Sequence, residues 1–197
     1  MLNNLKLLAL SSLLLVTGCA HNIQITPSLD NLRNNPATTK SELNVGYYIA
    51  SEDKTREVTT PGGGGDKIAY SPYKDTEAAL NTVLSQVYKK VYSVSSLTDR
   101  EFLAQKQITY VFKPQLTTTS SSNSALTWPP TDFALTITCS AIDIDGKEVW
   151  HDQVTGTGHA EFSEFKSDLP LAARRAAEDA FKKLQQKISE SPAVLKN

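Results

Sequence analysis

The sequence is poor in the residues that carry most catalytic, metal and nucleic-acid chemistry. It has only two cysteines, Cys19 and Cys139, so a framework of several disulfides is excluded. Three histidines, His21, His151 and His159, are its whole stock of imidazole. On a regular strand His151 and His159 would share a face but lie about 27 Å apart, too far to hold one metal ion. Lys and Arg total 20 against 21 Asp and Glu, a formal net charge of −1. That leaves no basic excess to neutralise phosphates, which excludes a nucleic-acid partner. There is no Gly-x-Ser-x-Gly elbow to raise a nucleophilic serine. The Gly62–Gly65 run lacks the Gly-Lys-Ser/Thr that a phosphate loop needs: Asp66 precedes Lys67 and Ile68 follows it. It reads as a flexible loop. Asp143-Ile144-Asp145-Gly146 matches part of a calcium loop, but the segments around it read as strand, and a hairpin turn accounts for the Asp-Gly pair. No catalytic residue, metal site or cofactor is expected.

Long apolar runs are also missing, apart from one near the N-terminus. Lys6 precedes an apolar stretch from Leu7 to Val16, followed by the small residues Thr17 and Gly18 and then Cys19. A run of about ten residues is too short for a spanning helix, which needs roughly 20. It has the three-part layout of a secretory signal. Its ending, Val16-Thr17-Gly18-Cys19, resembles the lipobox of bacterial lipoproteins. The resemblance implies cleavage before Cys19, a diacylglyceryl thioether on its sulfur and an acyl group on the new amine. One acyl chain holds a protein to a bilayer only marginally, at about 0.8 kcal/mol per buried methylene. Two or three chains on one residue make a durable anchor. In such lipoproteins an Asp after the cysteine favours retention in the inner membrane; here Ala20, His21 and Asn22 follow. The resemblance therefore implies the outer membrane, with the protein facing the periplasm. With Cys19 acylated, Cys139 would have no disulfide partner. It alternates with Phe133, Leu135 and Ile137, which reads as the buried face of a strand.

The expected organisation is a signal peptide over 1–18, a lipidated N-terminus and polar tether over 19–42, a domain over 43–190 and a tail over 191–197. A tether of that length would span about 75 Å when fully extended. Within the domain, Leu43–Ile49 alternates as a strand, and a weaker strand covers Arg56–Thr60. Ser71-Pro72 opens a helix running to about Val91, with Leu80, Val83, Leu84, Val87, Tyr88 and Val91 on one face. Thr98-Asp99 caps a short helix over Glu101–Gln105. A strand over Ile108–Phe112 stops near Pro114, and Thr117–Asn123 reads as a Ser/Thr-rich loop. Phe133–Ile144 and Glu148–Phe162 form a hairpin through Asp145-Gly146. Ser167 or Asp168 caps a last helix whose apolar stripe runs from Leu169 to Ile188, its alanines suited to close packing on a sheet. The fold class is α+β: a two-layer sandwich with a mainly antiparallel sheet, a long hairpin and two amphipathic helices on one face.

The lipobox, the Ile23-Gln24-Ile25-Thr26-Pro27 segment, the amphipathic helix, the long hairpin and the Ala-rich C-terminal helix together resemble the YajG-like bacterial lipoproteins. The element order is also similar to the periplasmic domain of the penicillin-binding-protein activator LpoB and the N-terminal domain of TolB. The resemblance implies fold and location and brings no activity with it. Two functions follow as expectations. One is a non-catalytic, lipid-anchored factor that binds another envelope protein through an exposed loop at Trp128, Pro129 and Pro130, Trp being favoured at binding hot spots. The other is an enzyme or binding module acting on peptidoglycan or another envelope glycan, with Glu161 and Glu164 as converging carboxylates.

Overall fold

The computed structural model describes residues 20–34, 40–123 and 129–195. In chain order the elements are β1 (Ala20–Asn22), α1 (Leu29–Arg33), β2 (Ser41–Tyr47), α2 (Ser51–Lys54), β3 (Val58–Pro61), β4 (Lys67–Tyr70), α3 (Pro72–Val87), β5 (Tyr88–Ser93), α4 (Arg100–Gln105), β6 (Ile108–Ser121), β7 (Asp132–Asp143), β8 (Glu148–His159), α5 (Phe162–Phe165), α6 (Leu171–Ser189) and α7 (Pro192–Leu195). They form the expected α+β sandwich. A five-stranded sheet has the order β5-β2-β6-β7-β8, and a three-stranded sheet the order β1-β4-β3. The larger sheet is mixed. β2 is parallel to both β5 and β6, while the long ladders β6–β7 and β7–β8 are antiparallel.

The hairpin forms because its sequence meets the turn's demands. Asp143 Oδ1 accepts from the backbone N–H groups of Asp145 and Lys147, and Gly146 takes φ +85°, which glycine adopts without a Cβ penalty. Along β7 burial alternates residue by residue, with Phe133, Leu135, Ile137, Cys139 and Ala141 inward. Cys139 is fully buried and free, and burial pushes its thiol up to about 12. Against this face lie α3, through Leu80, Val83, Leu84 and Val87, and α6, through Ala177, Ala180, Phe181, Leu184 and Ile188. The outer face of β6–β8 is polar. Where the sheet begins, α4 covers that outer face with a small separate core of Val94, Leu103, Ile108 and Val111.

The closest packing in the fold lies between α6 and β8. A Cβ on Gly156 would stand 2.3 Å from the Ala176 carbonyl oxygen and 2.2 Å from the Ala180 nitrogen. One on Gly158 would stand 2.0 Å from the Ala172 carbonyl oxygen. Helix and strand therefore meet backbone to backbone, with alanine on one side and no side chain on the other.

Four expectations are corrected. First, residues 20–34 are not a tether. β1 pairs in parallel with β4, Ile25 and Leu32 are fully buried, and the Ile25 N–H donates to the Asp75 carboxylate in the first turn of α3. Burial holds the Asp75 carboxyl above its usual range. Second, α3 ends at Val87 and the chain passes without a loop into β5. Val91, placed on the helix by its spacing, lies in that strand. Third, the Ser/Thr segment is not a loop: β6 continues through Pro114 to Ser121. The Leu116 N–H, which points away from β7, donates to the Tyr73 hydroxyl. The Pro114 nitrogen points to that same side, beyond Phe112, where pairing with β2 has ended. No ladder bond is lost there. Fourth, the tail closes the core. Val194 is fully buried, and its carbonyl accepts from the Tyr88 hydroxyl at 3.0 Å. Leu169, placed on the α6 stripe, is exposed in the turn before α6.

Gly158→Ala is expected to lower the unfolding free energy by about 1–3 kcal/mol, the range for overpacking a filled site. Urea denaturation of the two proteins checks it; an unchanged midpoint would mean that α6 can lift off β8 at no cost.

Candidate functional site

Among the described residues, a concentration of polar and ionisable groups lies at one end of the sandwich, where β6 ends, β7 begins and β8 ends. The register places Ser121 opposite Asp132, and Asp132 opposite His159. On the uncovered sheet face these strands outline a groove of ≈640 Å³ bordered by Thr119, Ser121, Asp132, Ala134, Thr157 and His159. Its lining includes the hydroxyls of Thr119, Ser120, Ser121 and Thr157.

The ionisable groups around the groove are already engaged with one another. His159 Nδ1 meets Asp132 Oδ1 at 2.8 Å, and Nε2 meets Glu161 Oε1 at 3.0 Å. A ring bonded on both nitrogens to carboxylates is held as the imidazolium, in which both nitrogens donate. The hydrogen bonds to Asp132 and Glu161 hold His159 above its ordinary value of 6.5. The bond from His159, followed by that from Thr131, holds Asp132 below its usual range. Glu161 and Glu164 form the capping box of α5, each side chain bonded to the other's backbone N–H. Arg175 grips both oxygens of Glu164, at 3.1 and 2.8 Å, and also donates to the His159 carbonyl at 2.7 Å. With the Arg175 bond as the main cause, the Glu164 carboxyl is held down at about 2.

The chemistry this permits is narrow. A general acid needs a carboxyl that keeps its proton near neutral pH, and a general base needs a free lone pair. Glu164 stays ionised under its guanidinium, and both imidazole nitrogens of His159 are occupied. Glu161 and Glu164, the carboxylates expected of a glycan-cleaving site, serve instead as caps of a single helical turn. The two acids on His159 lie on opposite sides of the ring, and among the described residues no three His, Cys, Asp or Glu side chains converge on a point where a metal could sit.

A second polar cluster went unread in the sequence. On the same sheet face, Ser140 Oγ donates to Glu148 Oε2 at 2.6 Å and lies 3.1 Å from His151 Nδ1. The residue types are those of a hydrolase triad, but the connections are not. The serine is bonded directly to the acid, and Glu148 approaches the same imidazole nitrogen, at 3.9 Å. The signal that places them together is the alternation of β7 and β8, which sets Ser140 opposite His151.

Of the residues expected to act, Cys19 and Trp128 lie outside the described residues. Pro129 and Pro130 are buried, which corrects their expected place on an exposed loop. Their burial is inexpensive because proline has no N–H to leave unpaired. The chain then turns into β7, with the Thr131 carbonyl accepting from the Ala160 N–H. His21, on β1, pairs with Asp66 at 3.0 Å. No helix among the described residues is long and apolar enough to cross a membrane.

No family model and no curated protein matches the sequence. Solved structures with partial likeness include a candidate lipoprotein from Caulobacter crescentus, at 13% identity over 82% of this chain and 91% of that one, with a TM-score of 0.38. The PelC L103M dodecamer from Paraburkholderia phytofirmans matches at 18% identity, 72% and 91% coverage and a TM-score of 0.38. A DUF330 protein from Xanthomonas campestris matches at 12% identity, 86% and 91% coverage and a TM-score of 0.41. At these scores they assign neither a site nor a partner to this chain.

The His159 pairing sets a pH dependence. Because its folded-state value lies above 6.5, the stabilisation is fully present below that pH and is lost as the pH rises through the folded-state value. NMR titration of the His159 ring is expected to give a midpoint above that of a free imidazole, and Asp132→Asn is expected to bring it down. A midpoint unmoved by the substitution would show that the pair does not form in solution.

Proposed function

We propose that the protein is a lipid-anchored, non-catalytic lipoprotein of the bacterial envelope, held to the outer membrane through acylated Cys19 and facing the periplasm. It would belong with the YajG-like lipoproteins and act as a binding, assembly or regulatory factor for another envelope protein. The observation that carries this reading is the sequence Val16-Thr17-Gly18-Cys19 behind the apolar run from Leu7 to Val16. The first strand starts at Ala20, one residue after the cysteine of Val16-Thr17-Gly18-Cys19. The residues after Cys19, Ala20-His21-Asn22, lack the Asp that favours inner-membrane retention, which supports the outer-membrane placement.

A non-catalytic role is supported by the state of the ionisable groups at the groove, where Asp132 and Glu161 are both engaged by His159, and Glu164 by Arg175. The four hydroxyls and the carboxylate and imidazole of Asp132 and His159 along the groove favour a second reading, in which the domain holds an envelope glycan without cleaving it. Retention on purified peptidoglycan that Thr157→Val weakens would support that reading; equal retention of both proteins would count against it.

Cys19→Ser is expected to abolish acylation, leave residues 1–18 attached and block incorporation of labelled fatty acid. Mass spectrometry of the N-terminal peptide reads the first two effects and metabolic labelling the third. An unmodified Cys19 in the wild-type protein would overturn the proposal.

A further inference from the structure

Three large hydrophobic side chains stand exposed among the described residues: Phe162 (61%), Ile144 (54%) and Leu169 (42%). Ile144 is at the tip of the β7–β8 hairpin. Phe162 and Leu169 are at the opposite end, in α5 and in the turn that leads into α6. That end is also where the described chain begins.

Two sets of contacts place Ala20 there. The first is a row of strand pairings joined at one point by the Ser120 hydroxyl. Ala20 pairs with Lys67, and Lys67 with Pro61. The Pro61 carbonyl accepts from Ser120, whose neighbour Ser121 pairs with Asp132, which in turn pairs with His159, three residues before Phe162. The second runs through the interior. Phe162 stands edge-on against Phe165, with ring centroids 5.5 Å apart. Phe165 is buried in one cluster with Ile23 and Ile68, which belong to the β1–β4 sheet that Ala20 opens. The peptide bond from Ala20 leads directly to Cys19.

Most acids and bases at this end pair with one another, Asp66 with His21, Asp132 and Glu161 with His159, Glu164 with Arg175, and Asp168 with Arg174, while Lys67 and Lys166 are exposed beside them. Beside Phe162 and Leu169 the exposed Lys166 can keep its ammonium among lipid headgroups while its stem lies along apolar chains. An aromatic ring and a leucine flanked by an exposed lysine suit the boundary between lipid headgroups and acyl chains.

We infer that this end of the domain rests on the bilayer, with Phe162 and Leu169 inserted at the headgroup level beside the acylated Cys19. The inference rests on the anchoring proposed above. That reading supplies the bilayer, and the start of the fold at Ala20 leaves no intervening chain to hold the domain away from it. The domain is thereby oriented as well as attached. The hairpin tip with Ile144 points away from the membrane.

The test uses the mature, acylated full-length protein in phosphatidylcholine vesicles. Cys139 is buried, so a cysteine introduced at the surface can be labelled alone. Phe162→Cys, Leu169→Cys and Ile144→Cys each receive an environment-sensitive fluorophore. Flotation of the vesicles and the mass of the N-terminal peptide first establish that Cys19 is acylated and membrane-bound. Labels at 162 and 169 are expected to shift to shorter emission wavelength and to be quenched at least threefold more by lipid-borne nitroxide than the label at 144. The contrast should persist in high salt, because the contact is apolar. If Cys19 carries no lipid, the anchoring reading and this inference fall together. If the protein floats but 162 and 169 remain as water-exposed as 144, this inference alone is overturned, and a protein partner becomes the occupant to seek for that surface.

Discussion

The fold depends on how closely α6 can approach β8. Gly156 and Gly158 leave the strand bare where Ala172, Ala176 and Ala180 cross it. Helix and strand backbones thus come nearer than any pair of larger side chains would permit. That approach sets the depth of the core beneath Leu184, Phe181 and Ile188. It also brings the polar flank of the helix within reach of the strand's free edge. Arg175 donates to the His159 carbonyl at 2.7 Å, the Thr157 N–H donates to Asp179 at 3.0 Å, and Lys183 donates to the Thr155 carbonyl at 2.9 Å. These are the groups that would otherwise pair with an incoming strand. An edge twelve residues long is a hazard for aggregation. Here it is closed by side chains from the helix that the glycines admit. At the opposite edge, β5 exposes Lys89 and Lys90 in sequence, and Lys89 is held by Glu42 at 2.8 Å. Charge guards one edge and a helix guards the other.

The same arrangement explains why the outer face of β6–β8 stays open and polar. Both long helices share one side, and only the start of the sheet has a cover on the other, through α4. With no layer to bury them, Thr117, Thr119, Thr136, Thr138, Thr155 and Thr157 give the outward face β-branched residues that suit a strand and still present hydroxyls to water. Thr136 and Thr155 pair directly across the strands at 2.9 Å. Composition in this region therefore reports which side of a sheet is solvated. It does not mark a loop, although a Ser/Thr-rich stretch reads as one when its partner strand is unseen.

What could be read from the sequence and what could not divides along the range of the forces involved. The β7–β8 hairpin, the cap at Asp99, the faces of α3 and α6 and the burial of Cys139 rest on alternation, helical spacing and turn residues within a short window. These appear where they were expected, except that Tyr88 and Val91 leave the α3 face for β5 and Leu169 falls before α6. The misread segments depend on partners distant in the chain. β1 and β4 are only three and four residues long and exist because they pair with each other. Residues 88–93 satisfy both helical and strand spacing, and a place beside β2 decides between them. Pro114 looks like a strand end until β2 is seen to stop at the position before its nitrogen would need a partner. At the candidate site, the sequence supplied Glu161 and Glu164 as a carboxylate pair. Their engagement by His159 and Arg175 is set by the β8 register and the α6 approach, neither of which local spacing encodes.

The N-terminal segment is where this difference bears most on function. Read as a tether, residues 19–42 would let the domain search tens of ångströms above a membrane. Folded as observed, Ile23, Ile25 and Leu32 are core residues, and Asn31 reaches both carboxylate oxygens of Glu178 on α6. Freeing the segment would expose these side chains and strip β4 of its parallel partner, so its attachment is coupled to the stability of the domain. An anchor on Cys19 would then pull on β1 and, through β4, on the core itself. The proposed lipid and the fold become mechanically continuous, and a binding partner would have to meet this protein close to the membrane surface, on the faces that its orientation leaves open.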